Sequence, residues 1–186
     1  MKTSTHNKIL ETAKELFYQK GYNLTGINEI IAKAGIAKAS LYSNFSSKEA
    51  ICIAYLQEMG RELTENMTTF LQAKPQGRER LLGIFDFLEQ VAVNDSFNGC
   101  WCVNMLAEIP PDNKQIRAEV LRQKKATYYF FKGLVQENLA VKEKEEIKSV
   151  TRKIYLLYEG ALTECGVQNS AWPVKEAKEM MELFIK

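Results

Sequence analysis

Apolar residues recur along this chain at helical spacing. Ile9, Leu10, Ala13, Leu16 and Phe17 share one face of a three-turn amphipathic helix, with Lys20 suited to its negative C-terminal end and Gly21 able to take the positive φ that stops it. Ile27, Ile30, Ile31 and Ala34 form a second short stripe that ends at Gly35, and Leu41, Tyr42 and Phe45 begin a third within a few residues. Ser46 followed by Glu49 fits a capping box for a long fourth helix through Ile51, Tyr55 and Met59. Lys74, Pro75, Gln76 and Gly77 break the pattern. Further helices are predicted over about 78–93, 100–109, 113–139, 141–167 and 174–185, divided by 95–99, Pro110 with Pro111, and Trp172 with Pro173. No stretch alternates long enough for a sheet, and no repeat or low-complexity tract appears, so the expected fold is all-α.

Composition narrows the class. Apolar residues make up 46% of 186 and charged residues 26%, with only 4 prolines, the balance of a soluble globular protein. The start lacks the apolar run of a signal peptide, and no stretch offers the roughly eighteen apolar residues of a membrane span. A cytoplasmic protein with no membrane partner is expected, its four cysteines thiols rather than a disulfide framework. The formal charge of +2 is small, but up to residue 50 Lys2, Lys8, Lys14, Lys20, Lys33, Lys38 and Lys48 outweigh Glu11, Glu15, Glu29 and Glu49. The head is basic and the body is not.

A helix, a glycine turn and a second helix over 27–45 fit a helix-turn-helix, in which the first helix braces the second so that its N-terminal residues enter the major groove. Lys38 can reach phosphate or guanine, Ser40 can donate or accept at a base edge, and Ala39 allows close approach or contact with a thymine methyl. Asn28 and Asn44 are further DNA-facing candidates. Such a pair alone also occurs in plain helical hairpins. The run from Ile9 to Leu56, with Ala13, Leu16, Phe17, Gly21, Tyr22, Thr25, Ile30, Ala34, Gly35, Ile36, Leu41, Tyr42, Phe45, Lys48 and Glu49, resembles the signature of the tetracycline-repressor (TetR/AcrR) family in order and spacing.

That resemblance implies a DNA-binding head over residues 1–47 and a ligand-sensing and dimerisation body over 48–186. It implies that Thr25, Tyr42 and Lys48 touch the DNA backbone while Lys38, Ala39 and Ser40 face bases. Two residues depart from the family pattern. Gly26 stands where a capping Ser or Thr is frequent, and Ala37 replaces a frequent Ser, each costing about 0.5–1 kcal/mol or less of helix-end stability, or one phosphate contact. No arginine precedes Arg61, so guanine reading rests on Lys38 and useful affinity calls for a homodimer. Two-fold symmetry would set the recognition helices roughly 34–36 Å apart on a pseudo-palindromic double-stranded operator.

In the body, apolar stripes on the last two helices suit a four-helix interface between subunits, which the resemblance also implies. The interface candidates are Leu157, Gly160, Ala161, Val174, Met181 and Phe184, and packing within one chain is the alternative. Tyr55, Met59, Phe85, Trp101, Met105, Tyr128, Tyr155 and Tyr158 suit an apolar pocket for a small apolar or aromatic inducer, although core packing accounts for any one of them. By resemblance, such a ligand would tilt the fourth helix and spread the heads, releasing DNA. Glu159 could select a cationic or hydroxyl-bearing ligand, or be an ion-paired residue neutralised by Arg117, Arg122 or Lys125.

Cys100 and Cys102 lie near a predicted helix start, where backbone N–H groups favour a reactive thiolate. Some relatives in the resembling family sense electrophiles through a cysteine near this glycine, so an electrophile- or oxidant-sensing repressor acting through Cys100 is the alternative to a ligand-released one. Against it, a free cysteine is most often a small buried hydrophobe. The pair is poor metal chemistry, since i and i+2 on a helix point about 200° apart, and the sole histidine is His6. No metal or cofactor is expected. With no phosphate loop, metal spacing or His-activated nucleophile, enzymatic activity is not expected either. A helical binding or scaffold module without DNA function is the remaining alternative.

Overall fold

The computed structural model describes residues 4–94, 97–140 and 143–185. Lys2, Asp95, Ser96 and Val141, which entered the reading above, lie outside the described residues. Among the described residues there are nine helices and no strand: α1 (Thr5–Lys20), α2 (Ile27–Ala34), α3 (Lys38–Asn44), α4 (Lys48–Gln72), α5 (Arg78–Ala92), α6 (Trp101–Glu108), α7 (Lys114–Asn138), α8 (Lys144–Gln168) and α9 (Trp172–Glu182). The all-helical expectation holds.

Packing sorts these helices into two units. The first comprises residues 1–61 and 101–123, and the second 62–100 and 124–186, so α4 and α7 each contribute to both. In the first unit, the Ser4 hydroxyl accepts from the Asn7 N–H and starts α1, while Gly21 at φ 87 ends it, its N–H donating to the Phe17 carbonyl. α1 packs on α2 and α3, with Ile9, Leu16, Ile30, Leu41 and Phe45 buried, and Ile51 and Leu56 of α4 are buried in the same unit. Gly35 sits in the left-handed region at φ 63 and lets α2 stop where the turn begins. The N-caps of α2 and α3 are Gly26 and Ala37, and neither has a side-chain hydrogen bond to its helix. A hydroxyl at position 37 would satisfy an orphan N–H, so Ala37→Ser is expected to stabilise by about 1 kcal/mol. Thermal unfolding should show it as a rise of roughly 2–4 °C, and an unchanged midpoint would mean that water already serves that N–H as well.

One detail of the sequence reading is corrected. The cap of α4 is Ser47, whose hydroxyl accepts from the Ala50 N–H at 3.0 Å, rather than Ser46. Adjacent serines offer the same chemistry, and the Glu49 carboxylate accepts from the Asn113 side chain at 2.9 Å. The same Asn113 caps α7, its Oδ1 accepting from the Ile116 N–H. The first unit also buries Glu119, which is satisfied by Arg122, Gln123 and Gln57.

The second unit surrounds an apolar core in which Phe85, Phe131, Ile154, Val174 and Met181 are among the most buried side chains. Asp86 on α5 accepts from Lys74 at 2.9 Å and from Lys178 at 2.5 Å, joining the end of α4 to α9. Those two ammonium donors outweigh its partial burial and hold its carboxyl below the usual aspartate range. Trp172 and Pro173 open α9 rather than break the chain before it. Proline is tolerated in the first turn because its missing N–H is one of the unpaired groups there. The break is supplied by Asn169, which ends α8 in the left-handed region at φ 47.

Candidate DNA interface and sensor site

α3 is held from behind and open in front. Leu41 and Phe45 are buried, whereas Lys38, Ala39, Ser43 and Asn44 are exposed, Tyr42 is 46% exposed, and Ser40 is intermediate. The Asn44 amide donates to the Ser40 carbonyl at 2.8 Å and the Ser43 hydroxyl to the same atom at 3.0 Å, which stiffens the last turn. Asn28 is exposed on the first turn of α2. These side chains can offer an ammonium, hydroxyls and amides to a polyanion.

Two of the DNA candidates are engaged within the protein. Thr25 is 0% exposed and its hydroxyl donates to the Gly21 carbonyl at 2.8 Å, so in this conformation the hydrogen that a phosphate would need is spent on the turn between α1 and α2. The Lys48 ammonium lies 4.2 Å from the centroid of the Tyr22 ring, a cation–π placement that holds the lysine at the start of α4. Burial pulls its pKa below the usual lysine value, against the opposing charges of Cys52 and Glu108.

The residues expected to form a ligand pocket divide between the units. Tyr55, Met59, Trp101 and Met105 belong to the first. Tyr55 is core, with its ring edge-on to Phe17 at 5.6 Å, and Met105 is buried with its sulfur 3.5 Å from that of Cys52. Phe85 and Tyr158 are core residues of the second. The structure brings Tyr128, Tyr155, Tyr158 and Glu159 together there, the Tyr128 and Tyr155 rings meeting edge to face at 5.8 Å. The partner of Glu159 is Lys124, whose ammonium donates to its carboxylate, and not Arg117, Arg122 or Lys125. Periodicity could not separate Lys124 from its neighbour Lys125, because only the helix's rotation decides which of the two faces α8.

Lys124 also donates to the Cys100 sulfur at 3.2 Å. Cys100 directly precedes α6, and the chain there comes close to α8: a Cβ on Gly166 would lie 2.9 Å from the Gly99 Cα. Burial and the charge of Glu159 push the Tyr155 hydroxyl up to about 12, and burial raises Tyr158 as well, so both rings stay neutral beside the ion pair. Cys102 and Cys165 are buried, and burial pushes the Cys52 thiol up to about 12. A cavity of about 400 Å³ opens elsewhere in the second unit, lined by Leu71, Arg80, Tyr129, Phe130, Leu134 and Glu137 among others. It contains none of the side chains expected to bind a ligand.

The residues expected at a dimer face differ in burial within the single chain. Ala161, Val174 and Met181 are buried in the second unit's own core, and Leu157 and Phe184 pack against it. Gly160 is exposed. The exposed apolar set is instead Leu156 and Val167 on α8, and Trp172, Met180 and Leu183 on or just after α9. An amphipathic stripe turns first toward its own core, and the sparser apolar residues on the opposite face carry no strong period.

Residues 9–55 match the family model for bacterial regulatory proteins of the tetR family. The chain's helix-turn-helix head belongs to that family. The transcriptional repressor NemR of Escherichia coli strain K12 is 24% identical over 178 residues, covering 93% of this chain and 89% of NemR. The fold is shared with SCO4454, a TetR-family regulator from Streptomyces coelicolor (TM-score 0.84, 21% identity, 96% of this chain and 92% of that one). It is shared too with reduced E. coli NemR (0.83, 20%, 98% and 97%) and with Bacillus subtilis FadR in complex with stearoyl-CoA (0.74, 19%, 97% and 97%). With this head the chain is a DNA-binding transcriptional regulator. No helix among its described residues is long and apolar enough to cross a membrane.

Proposed function

We propose that the regulator is a cytoplasmic homodimeric repressor that grips a pseudo-palindromic DNA operator with residues 1–47 and senses with residues 48–186. Its work is binding, with no catalytic step. The observation that carries the DNA contact is the front of α3, where Lys38, Ala39, Tyr42 and Asn44 are exposed while Leu41 and Phe45 anchor the helix from behind. Lys38 to Ser40 read bases, and Tyr42, Asn28 and Lys48 position the backbone. Release follows when a small apolar or aromatic ligand favours a spacing of the two heads that no longer fits both half-sites. FadR, with stearoyl-CoA bound, is a precedent for an acyl ligand on this fold.

The test is the double variant Lys38→Ala, Tyr42→Phe, measured by fluorescence anisotropy on a duplex that the parent protein selects from a random pool. Each lost contact is worth about 1–3 kcal/mol, so affinity should fall at least about tenfold while helicity and subunit count stay unchanged. Unchanged affinity would leave α3 without its role, and a parent protein that selects no duplex would favour a helical scaffold module.

A second reading, sensing of electrophiles or oxidants through Cys100, is favoured by one contact. The Lys124 ammonium donates to the sulfur at 3.2 Å, and an adjacent cation is the environment in which cysteines become reactive.

A further inference from the structure

At the C-terminal end of α6, Glu108 accepts two hydrogen bonds from Asn23, 85 residues away in sequence. The Asn23 N–H donates to the Glu108 carboxylate at 2.7 Å, and the Asn23 side-chain amide donates to the Glu108 main-chain carbonyl at 2.8 Å. That carbonyl belongs to the last residue of α6, where the helix leaves acceptors unpaired, so Asn23 caps α6 while Glu108 caps the turn. The fit is close. Gly21 holds φ 87, and a Cβ on it would run into the Glu108 carboxylate. The clamped turn also carries Tyr22, whose ring supports Lys48, and Thr25, whose hydroxyl donates to the Gly21 carbonyl.

We propose that Glu108 is a positioning residue for DNA binding: through Asn23 it sets the turn that joins α1 to α2 and so the placement of Lys48 at the start of α4. The carboxylate serves as an acceptor in a fixed place, and its charge is secondary. Removing the clamp frees the turn, and the head pays an ordering cost each time it docks on DNA. This rests on the DNA-binding reading above, but its first consequence is visible without DNA.

The experiment is a double-mutant cycle of Asn23→Ala and Glu108→Ala, with Glu108→Gln as the conservative variant, on the duplex selected by the parent protein. Asn23→Ala removes the side-chain bond to the Glu108 carbonyl and Glu108→Ala the acceptor of the Asn23 N–H, and each should bind about fivefold to tenfold more weakly, the worth of the one hydrogen bond it loses. Because the two bonds close one contact and each holds the other in place, the double variant should lose less than the sum of the two single ones, and Glu108→Gln, which keeps an acceptor oxygen, should stay within about twofold of the parent. In the free protein, the amides of 22–26 should exchange faster in both alanine variants while those of Leu16 and Ile30 stay protected. Additive losses, a glutamine variant as weak as the alanine one, or unchanged exchange in the turn would each overturn the clamp. Faster exchange with no change in affinity would also overturn its role in DNA binding, while leaving the DNA contact of α3 to its own test.

Discussion

Leu156→Glu combined with Leu183→Glu is expected to yield a folded monomer that binds the selected duplex at least about a hundredfold more weakly. The two side chains are 69% and 81% exposed, and with Val167, Trp172 and Met180 they give α8 and α9 an uncovered apolar face. Exposed apolar residues grouped on one face mark an interaction surface, whereas singly scattered ones need no explanation. The opposite faces of the same helices anchor them through Ala161, Val174 and Met181, so the face is carried on a rigid support. A two-fold pairing would bury each apolar residue against its symmetric surroundings, and glutamates there would lose solvation without gaining a partner. Both positions are solvent-facing in the subunit, which should leave its own stability nearly unchanged. The large effect on DNA comes from linkage, because a monomer must hold one half-site without the effective concentration that a tethered second head supplies. Light scattering behind size exclusion reads the subunit count. A variant that remains dimeric would move the interface elsewhere.

Cys100→Ser should bind DNA like the parent yet resist release by benzoquinone. In the parent, the sulfur adds to a ring carbon, the S–C bond forms, and the thiol proton passes to the ring system, leaving a hydroquinone thioether with no leaving group. Burial of Cys100 at 5% exposure opposes the reaction by limiting access, while Lys124 at 3.2 Å favours it. Lys124→Met therefore separates the two effects. It removes the cation and should slow adduct formation on the order of tenfold, the worth of about 1.4 kcal/mol of lost interaction with the thiolate. Mass spectrometry locates the adduct and anisotropy follows the DNA. Cys52, whose thiol burial pushes up to about 12, should stay unmodified. Equal release from parent and Cys100→Ser would remove the cysteine from sensing and leave a reversible ligand as the signal.

The head was the most legible part of the chain because its information is local. Gly21 and Gly35 mark the ends of α1 and α2 through backbone geometry that a neighbour cannot supply, and Leu41 and Phe45 show α3's buried side within one turn of helix. The uncapped starts of α2 and α3 were visible as Gly26 and Ala37 for the same reason. Ser46 and Ser47 offered identical chemistry, so the pattern could not say which hydroxyl meets the Ala50 N–H.

What the sequence by itself determined is the all-helical character, the helix-turn-helix and its likeness to one family, since each depends on periods and stop signals within a few residues. Only the tertiary structure decided that Lys124 joins Glu159 to Cys100, that Glu108 clamps Asn23, that Thr25 is buried, and which faces of α8 and α9 turn inward. The physical reason is that a helix's pattern records how much apolar surface it must bury but not against what. A rotation of 100° per residue, set by long-range packing, determines which of two neighbouring side chains meets a partner.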